Sequence, residues 1–114
     1  MKTDKKIGVP ENVQGNFLKG TLEMMILILL SQKAMTPSQI RARIECDDTF
    51  FLSNINALYG VFNRLVEKGM ISHKKSRITG NMYYIEPAGE EHLELMRYEY
   101  QKLNRKIQSI EEGK

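Results

Sequence analysis

The stretch MMILILL, Met24–Leu30, restricts what this chain can become more than any other. Leu18, Leu22, Met25, Ile26 and Leu29 form a helical stripe, and Met24, Ile28 and Leu30 widen it almost all the way round. A helix apolar on nearly every side must be covered on nearly every side. A chain of 114 residues has a single core with which to do this, so a partner subunit is expected to share the covering. The run is far too short for a membrane span, which takes about 20 residues. The start, MKTDKKIGVPENVQG, lacks the apolar region of a secretory signal. A single cysteine, Cys46, excludes an internal disulfide, fits a reducing compartment and reads as an inert small hydrophobe. The expectation is a small cytoplasmic protein.

The chain divides into three parts. Residues 1–15 are polar, carry Gly8, Pro10 and Gly15, and are expected to form a flexible arm. Residues 16–86 hold the folded domain, and 87–114 a long carboxy-terminal helix. The first helix is expected from about Asn16 to Gln32. In TPSQIRARIE, Thr36 and Gln39 have capping-box spacing and Pro37 falls at the first helical position, where its missing N–H costs nothing. This predicts a short second helix burying Ile40 and Ile44, with Arg41 and Arg43 outward. After CDDTFFLS, Ser53 or Asn54 can cap a third helix spanning 54–68. Leu58, Val61, Phe62 and Leu65 gather on one side of it, and Asn56, Tyr59, Gly60, Asn63 and Glu67 on the other. Lys68-Gly69 supplies a stop signal.

MISHKKSRITGNMYYIE reads as two short strands around a Thr79-Gly80-Asn81 turn, a ribbon over 70–86 that is wet on both faces. In the last helix, Leu93, Met96, Tyr100, Leu103, Ile107 and Ile110 recur at spacings of three and four, a seam suited to a partner helix. Charge is uneven. The segment 53–81 carries +4 and the segment 82–114 carries −2, within a net charge of +3.

Three helices followed by a ribbon predict a mainly α fold with a two-stranded β-wing: a winged helix-turn-helix with a long dimerisation helix. In such a fold the helix after the turn enters the major groove and the wing reaches neighbouring backbone. The third helix's outer face then has a purpose. Asn54, Asn56 and Asn63 suit adenine edges, Tyr59 a phosphate or thymine methyl, and Gly60 a close approach of the helix axis. Arg64 extends that set, while Arg41, Lys74, Lys75, Arg77 and Asn81 are the expected contacts of the flank and wing. The expected dimer interface comprises Leu18, Leu22, Leu93, Met96, Tyr100, Leu103, Ile107 and Ile110.

The same residues resemble a known family, the PadR transcriptional regulators. LKGTLEMMILILL (Leu18–Leu30) is similar to its opening helix at Gly20, Thr21, Leu22, Ile26 and Leu27. LYGVFNRLVEKGMI (Leu58–Ile71) is similar to its recognition helix at Leu58, Tyr59, Arg64, Leu65, Glu67, Gly69 and Ile71. YYI with the later Gly89 resembles its second wing strand and the start of its last helix. Ala57 stands where the family has Thr, Thr36-Pro37 replaces a Tyr-Gly pair, and Asn81-Met82 stands where an arginine-rich cluster precedes the tyrosines. The resemblance, over residues 17–110, implies a winged-helix homodimer joined through its first and last helices. In some members an effector pocket opens between those helices, which implies a small hydrophobic or aromatic effector.

The leading expectation is therefore a repressor that binds a palindromic operator in double-stranded DNA as a homodimer. The alternative is a winged-helix module that dimerises and binds protein instead. An enzyme fits worst: there is no glycine-rich phosphate loop, and no nucleophile with a base at recognisable spacing. His73, His92 and Cys46 lack metal-ligand spacing, and no cofactor is expected.

Overall fold

The computed structural model describes residues 11–46, 55–78 and 80–113, without the side chains of 11–19 and 55. These form α1 (Glu11–Gln32), α2 (Pro37–Ile44), α3 (Ile55–Glu67), β1 (Ile71–Ser76), β2 (Gly80–Ile85) and α4 (Pro87–Glu111). Three helices, a two-stranded antiparallel ribbon and a long final helix make a winged helix-turn-helix.

The flexible arm expected over 1–15 is corrected at its inner end, because α1 already begins at Glu11. Residues 1–10 lie outside the described ones. Beyond Pro10 nothing forbids a helix, and Gly15 weakens one by only about 1 kcal/mol relative to Ala. Regular geometry is broken further on, at Gly20, whose φ of +81° sets the first turns apart from the apolar stretch.

At α2 the capping box forms as its residues dictate. The Thr36 hydroxyl accepts from the Gln39 backbone N–H, and the Gln39 side chain accepts from the Thr36 N–H. Ile40 and Ile44 are buried and Arg43 is exposed. Arg41 is only partly exposed, with Nε 3.3 Å from Glu45 Oε1. Cys46, expected as a small hydrophobe, is exposed.

The core joins α1 to every other element. Leu22, Ile26, Leu27 and Leu30 meet Ile40, Leu58, Phe62, Leu65, Ile71, Tyr83 and Leu93, all buried. Met24, Met25 and Ile28 are left partly exposed, so one face of α1 is not fully covered by its own chain. α3 closes with a Schellman arrangement: the Gly69 N–H donates to the Val66 carbonyl and the Met70 N–H to that of Leu65, with Gly69 at φ +73°.

β1 and β2 pair from Ile71↔Ile85 to Ser76↔Gly80. Asn81, expected in the turn, belongs to β2 opposite Lys75; the connection falls instead on 77–79, of which Thr79 lies outside the described residues. The ribbon is not wet on both faces. Partners across an antiparallel pair share a face, so Ile71, His73 and Lys75 lie with Ile85, Tyr83 and Asn81. On that face Ile71 and Tyr83 are core, while His73, Lys75 and Asn81 are exposed. Met35 then bridges Tyr83 as a one-residue third strand, through N–H to carbonyl bonds of 3.2 and 2.8 Å. Where the wing meets α4, a Cβ on Gly89 would lie 2.2 Å from the Met70 carbonyl oxygen, so only glycine fits.

Two residues expected in the dimer interface are taken by the chain itself. Leu22 and Leu93 are each 3% exposed and present no surface to a partner. Helical spacing marks a face as apolar without saying which body covers it. Further along α4, Met96 is half-buried, while Tyr100, Leu103, Ile107 and Ile110 are exposed. Leu18's side chain lies outside the described ones. Among the described residues, no helix is long and apolar enough to cross a membrane.

Candidate nucleic-acid interface

α3 is sharply two-sided. Leu58, Val61, Phe62 and Leu65 are buried, and Asn56, Tyr59, Gly60, Asn63 and Glu67 are exposed. A Cβ on Gly60 would meet nothing within 4 Å. The fold therefore does not require glycine there, and its small size bears only on what approaches from outside. Asn54 lies outside the described residues.

Tyr59 is 44% exposed and packs edge-on against Phe62, with ring centroids 5.9 Å apart. Phe62 stacks on Tyr83 at 4.7 Å, and His73 lies 5.2 Å beyond. This row of rings ties the outer face of α3 to the inner face of the wing and fixes their relative orientation. Burial raises the Tyr83 phenol above its ordinary value of 10.0, and the neighbouring Tyr59 adds to the rise.

The structure brings Arg41 towards this face as well. Pro37, Ser38, Arg41, Ala42, Glu45 and Tyr59 line a half-open cleft of about 400 Å³ between α2 and α3. On the wing, His73, Lys74, Lys75, Arg77 and Asn81 are exposed. Lys75 and Asn81 share the face of Tyr83, whereas Lys74 is on the opposite face, its Nζ 6.0 Å from the centre of the Tyr84 ring. Cations thus lie on both faces of the ribbon's outer half.

Arg64, on the flank of α3, is exposed as well, with Nη2 3.8 Å from Glu23 Oε1 on α1. Two features escaped sequence reasoning. The Met35 bridge is a single residue and left no periodic signal. Glu23 did leave one: a lone acid inside LEMMILILL must either break the helix's apolar cover or find a buried partner.

A second concavity lies on the far side of α1. Thr21, Met24, Met25 and Ile28 face Tyr100, Leu103, Asn104 and Ile107 of α4 across a half-open, mostly apolar groove of about 710 Å³. Among the described residues, no group of three or more His, Cys, Asp or Glu is placed to hold a metal ion.

Neither a family sequence profile nor a curated protein sequence matches the chain. Solved structures do. A transcriptional regulator from Clostridium thermocellum superposes with a TM-score of 0.76 at 21% identity, covering 90% of this chain and 97% of its own. A PadR-like transcriptional regulator from Bacillus cereus gives 0.72 at 22% identity, over 87% and 99%. A PadR-like transcription factor from Bacteroides fragilis gives 0.70 at 23% identity, over 88% and 99%. At these identities the likeness is one of fold, and the chain has the winged-helix fold of the PadR-like regulators.

Proposed function

We propose that this chain is a DNA-binding transcriptional regulator, acting as a homodimeric repressor on a palindromic operator. One observation carries the reading. α3 buries one side completely, yet its other side offers small, amide and phenolic groups beside a cationic wing. An ordinary surface helix needs only solvation there; a major-groove reader needs a slim face with hydrogen-bonding side chains.

In this mechanism α3 enters the major groove. Asn56 and Asn63 meet base edges, Tyr59 contacts backbone or a thymine methyl, and Gly60 lets the helix settle close. Lys74, Lys75, Arg77 and Asn81 on the wing, with Arg41 at the α2–α3 cleft, hold phosphates and set the register. A second copy covers Met96, Tyr100, Leu103, Ile107 and Ile110, since exposed apolar side chains in a row mark an association surface. The two reading helices then meet successive major grooves about 34–36 Å apart.

The α1–α4 groove shares Tyr100, Leu103 and Ile107 with that surface, so a flat hydrophobic or aromatic effector held there would be closed in by the second copy. Such a ligand would relieve repression only if it bound a non-DNA-binding arrangement of the dimer more tightly. The fold's kinship with PadR-like regulators supports the whole reading.

The test is fluorescence anisotropy of labelled duplexes, with fragments selected from the host genome compared against random sequence at low and moderate salt. Salt-sensitive binding with a preference for selected fragments is expected. Absence of binding at low salt would overturn the reading in favour of a dimeric protein-interaction module.

A further inference from the structure

Glu23 is 9% exposed in the midst of the apolar helix α1. Its carboxylate is shared: Oε1 lies 3.8 Å from Arg64 Nη2 of α3, and Oε2 lies 3.4 Å from His92 Nε2 of α4. One acid thus joins three helices. A buried carboxylate holds its partners firmly, because separating it from them leaves a charge without solvent. Its neighbours Met24 and Met25 line the groove against α4, so α1 bears the groove on one side and this cluster on another. Arg64 and His92 keep part of their side chains in water, so the cluster lies at the domain's edge, where α1, α3 and α4 meet.

We infer that Glu23, Arg64 and His92 form a strut that sets the seat of the reading helix α3 against α1 and α4. Arg64 is then a positioning residue and not a phosphate contact. The wing cations act on the DNA directly; Arg64 acts through the carboxylate it grips. The strut gives α4, which carries the association surface, a rigid link to α3, so the dimer's geometry passes to the reading face. The DNA consequence rests on the proposed function, whereas the strut itself does not.

Two measurements test this on the full chain, using Glu23→Gln, Arg64→Met, the double variant and Arg64→Lys. Gln keeps the shape of Glu23, and Met keeps the apolar stem of Arg64. In thermal melting, each single change should lower Tm by roughly 4–8 °C, and the double variant should melt close to the weaker single one, as coupled residues do. Arg64→Lys should recover much of the loss. Additive losses would overturn the strut.

In DNA titrations, Arg64→Met and Glu23→Gln should each lower the preference for selected over random duplex by about tenfold while leaving the salt slope unchanged. Lys75→Ala, which removes one cation from each wing of the dimer, should in contrast flatten that slope by about 1.8. Arg64→Met flattening the slope similarly, with preference intact, would make it a phosphate contact and overturn the positioning role. Should the unaltered protein bind no duplex, the DNA reading falls, and melting alone decides the strut.

Discussion

α3 buries one side along its length and α4 only its start, at Gly89 and Leu93, and the faces they turn to solvent are chemically opposite. On α3 the outer residues are Asn56, Tyr59, Gly60 and Asn63; on α4 they are Tyr100, Leu103, Ile107 and Ile110. The two faces therefore suit different kinds of contact. The polar face suits an edge-reading contact that keeps its water until it is replaced by hydrogen bonds. The apolar face suits a surface removed from water for good, where about 25 cal/mol per Å² favours burial. Both rest on the same core, with Phe62 beneath one and Leu93 beneath the other.

The harshest way to break this comparison is to charge the apolar face. In the proposed dimer, Leu103→Asp would bury an unpaired carboxylate, at a cost of about 3–5 kcal/mol. Sedimentation should then show monomers, and an unchanged dimer would move the interface elsewhere. Next, stripping the wing with Lys74→Ala, Lys75→Ala and Arg77→Ala together removes three cations from each of the two wings of the proposed homodimer and should flatten the salt dependence of DNA binding by about 5.4 in log–log slope. All duplexes should be affected alike while the dimer persists; binding of random duplex as tight as before would remove the wing from the interface.

A change at the joint shared by both regions should damage both. Gly89→Ala places a methyl against the Met70 carbonyl and should cost about 1–3 kcal/mol, read as a lower melting temperature. An unaffected melt would mean that the wing–α4 junction yields easily. Asn63→Ala is a finer probe. It should leave folding within about 0.5 kcal/mol and relax preference at one or two base pairs by about 1–3 kcal/mol, scored on a panel of single-base operator variants.

The smallest effect concerns the ring row that orients the wing. The folded state holds the Tyr83 proton more tightly than the unfolded chain does. Its contribution is thus fully present below the unfolded value of 10.0 and is lost as pH rises through the raised folded value. Melting temperatures should fall as pH rises from 10.0 through that folded value, and less steeply in Tyr83→Phe. Identical alkaline profiles would take Tyr83 out of the account.

Much of the fold was legible because local rules agreed with one another. Thr36, Pro37 and Gln39 specified a helix start by their own hydrogen bonds, and Lys68-Gly69 a stop by backbone conformation; each outcome depends on atoms a few residues apart. The two-sidedness of α3 followed from the 3.6-residue period. The exposure of Asn56, Tyr59, Gly60 and Asn63 was legible from the helical period, whereas the pairing of Arg64 was not, because its partner Glu23 lies 41 positions earlier in the chain.

By itself, the sequence determined the kinds of element, their order, and which side of each helix is apolar. Only tertiary structure decided which body covers each apolar side. The seam on α4 reads as one stripe, yet Leu93 is consumed by the chain's own core and Leu103 is left outside. It likewise decided that Tyr83 becomes part of the core through Met35 and Phe62, and that a lone acid in α1 acquires partners on α3 and α4. The physical reason is range. Periodicity and capping act over one or two helical turns, whereas burial and ion pairing depend on which distant segments the packed core brings within a few ångströms.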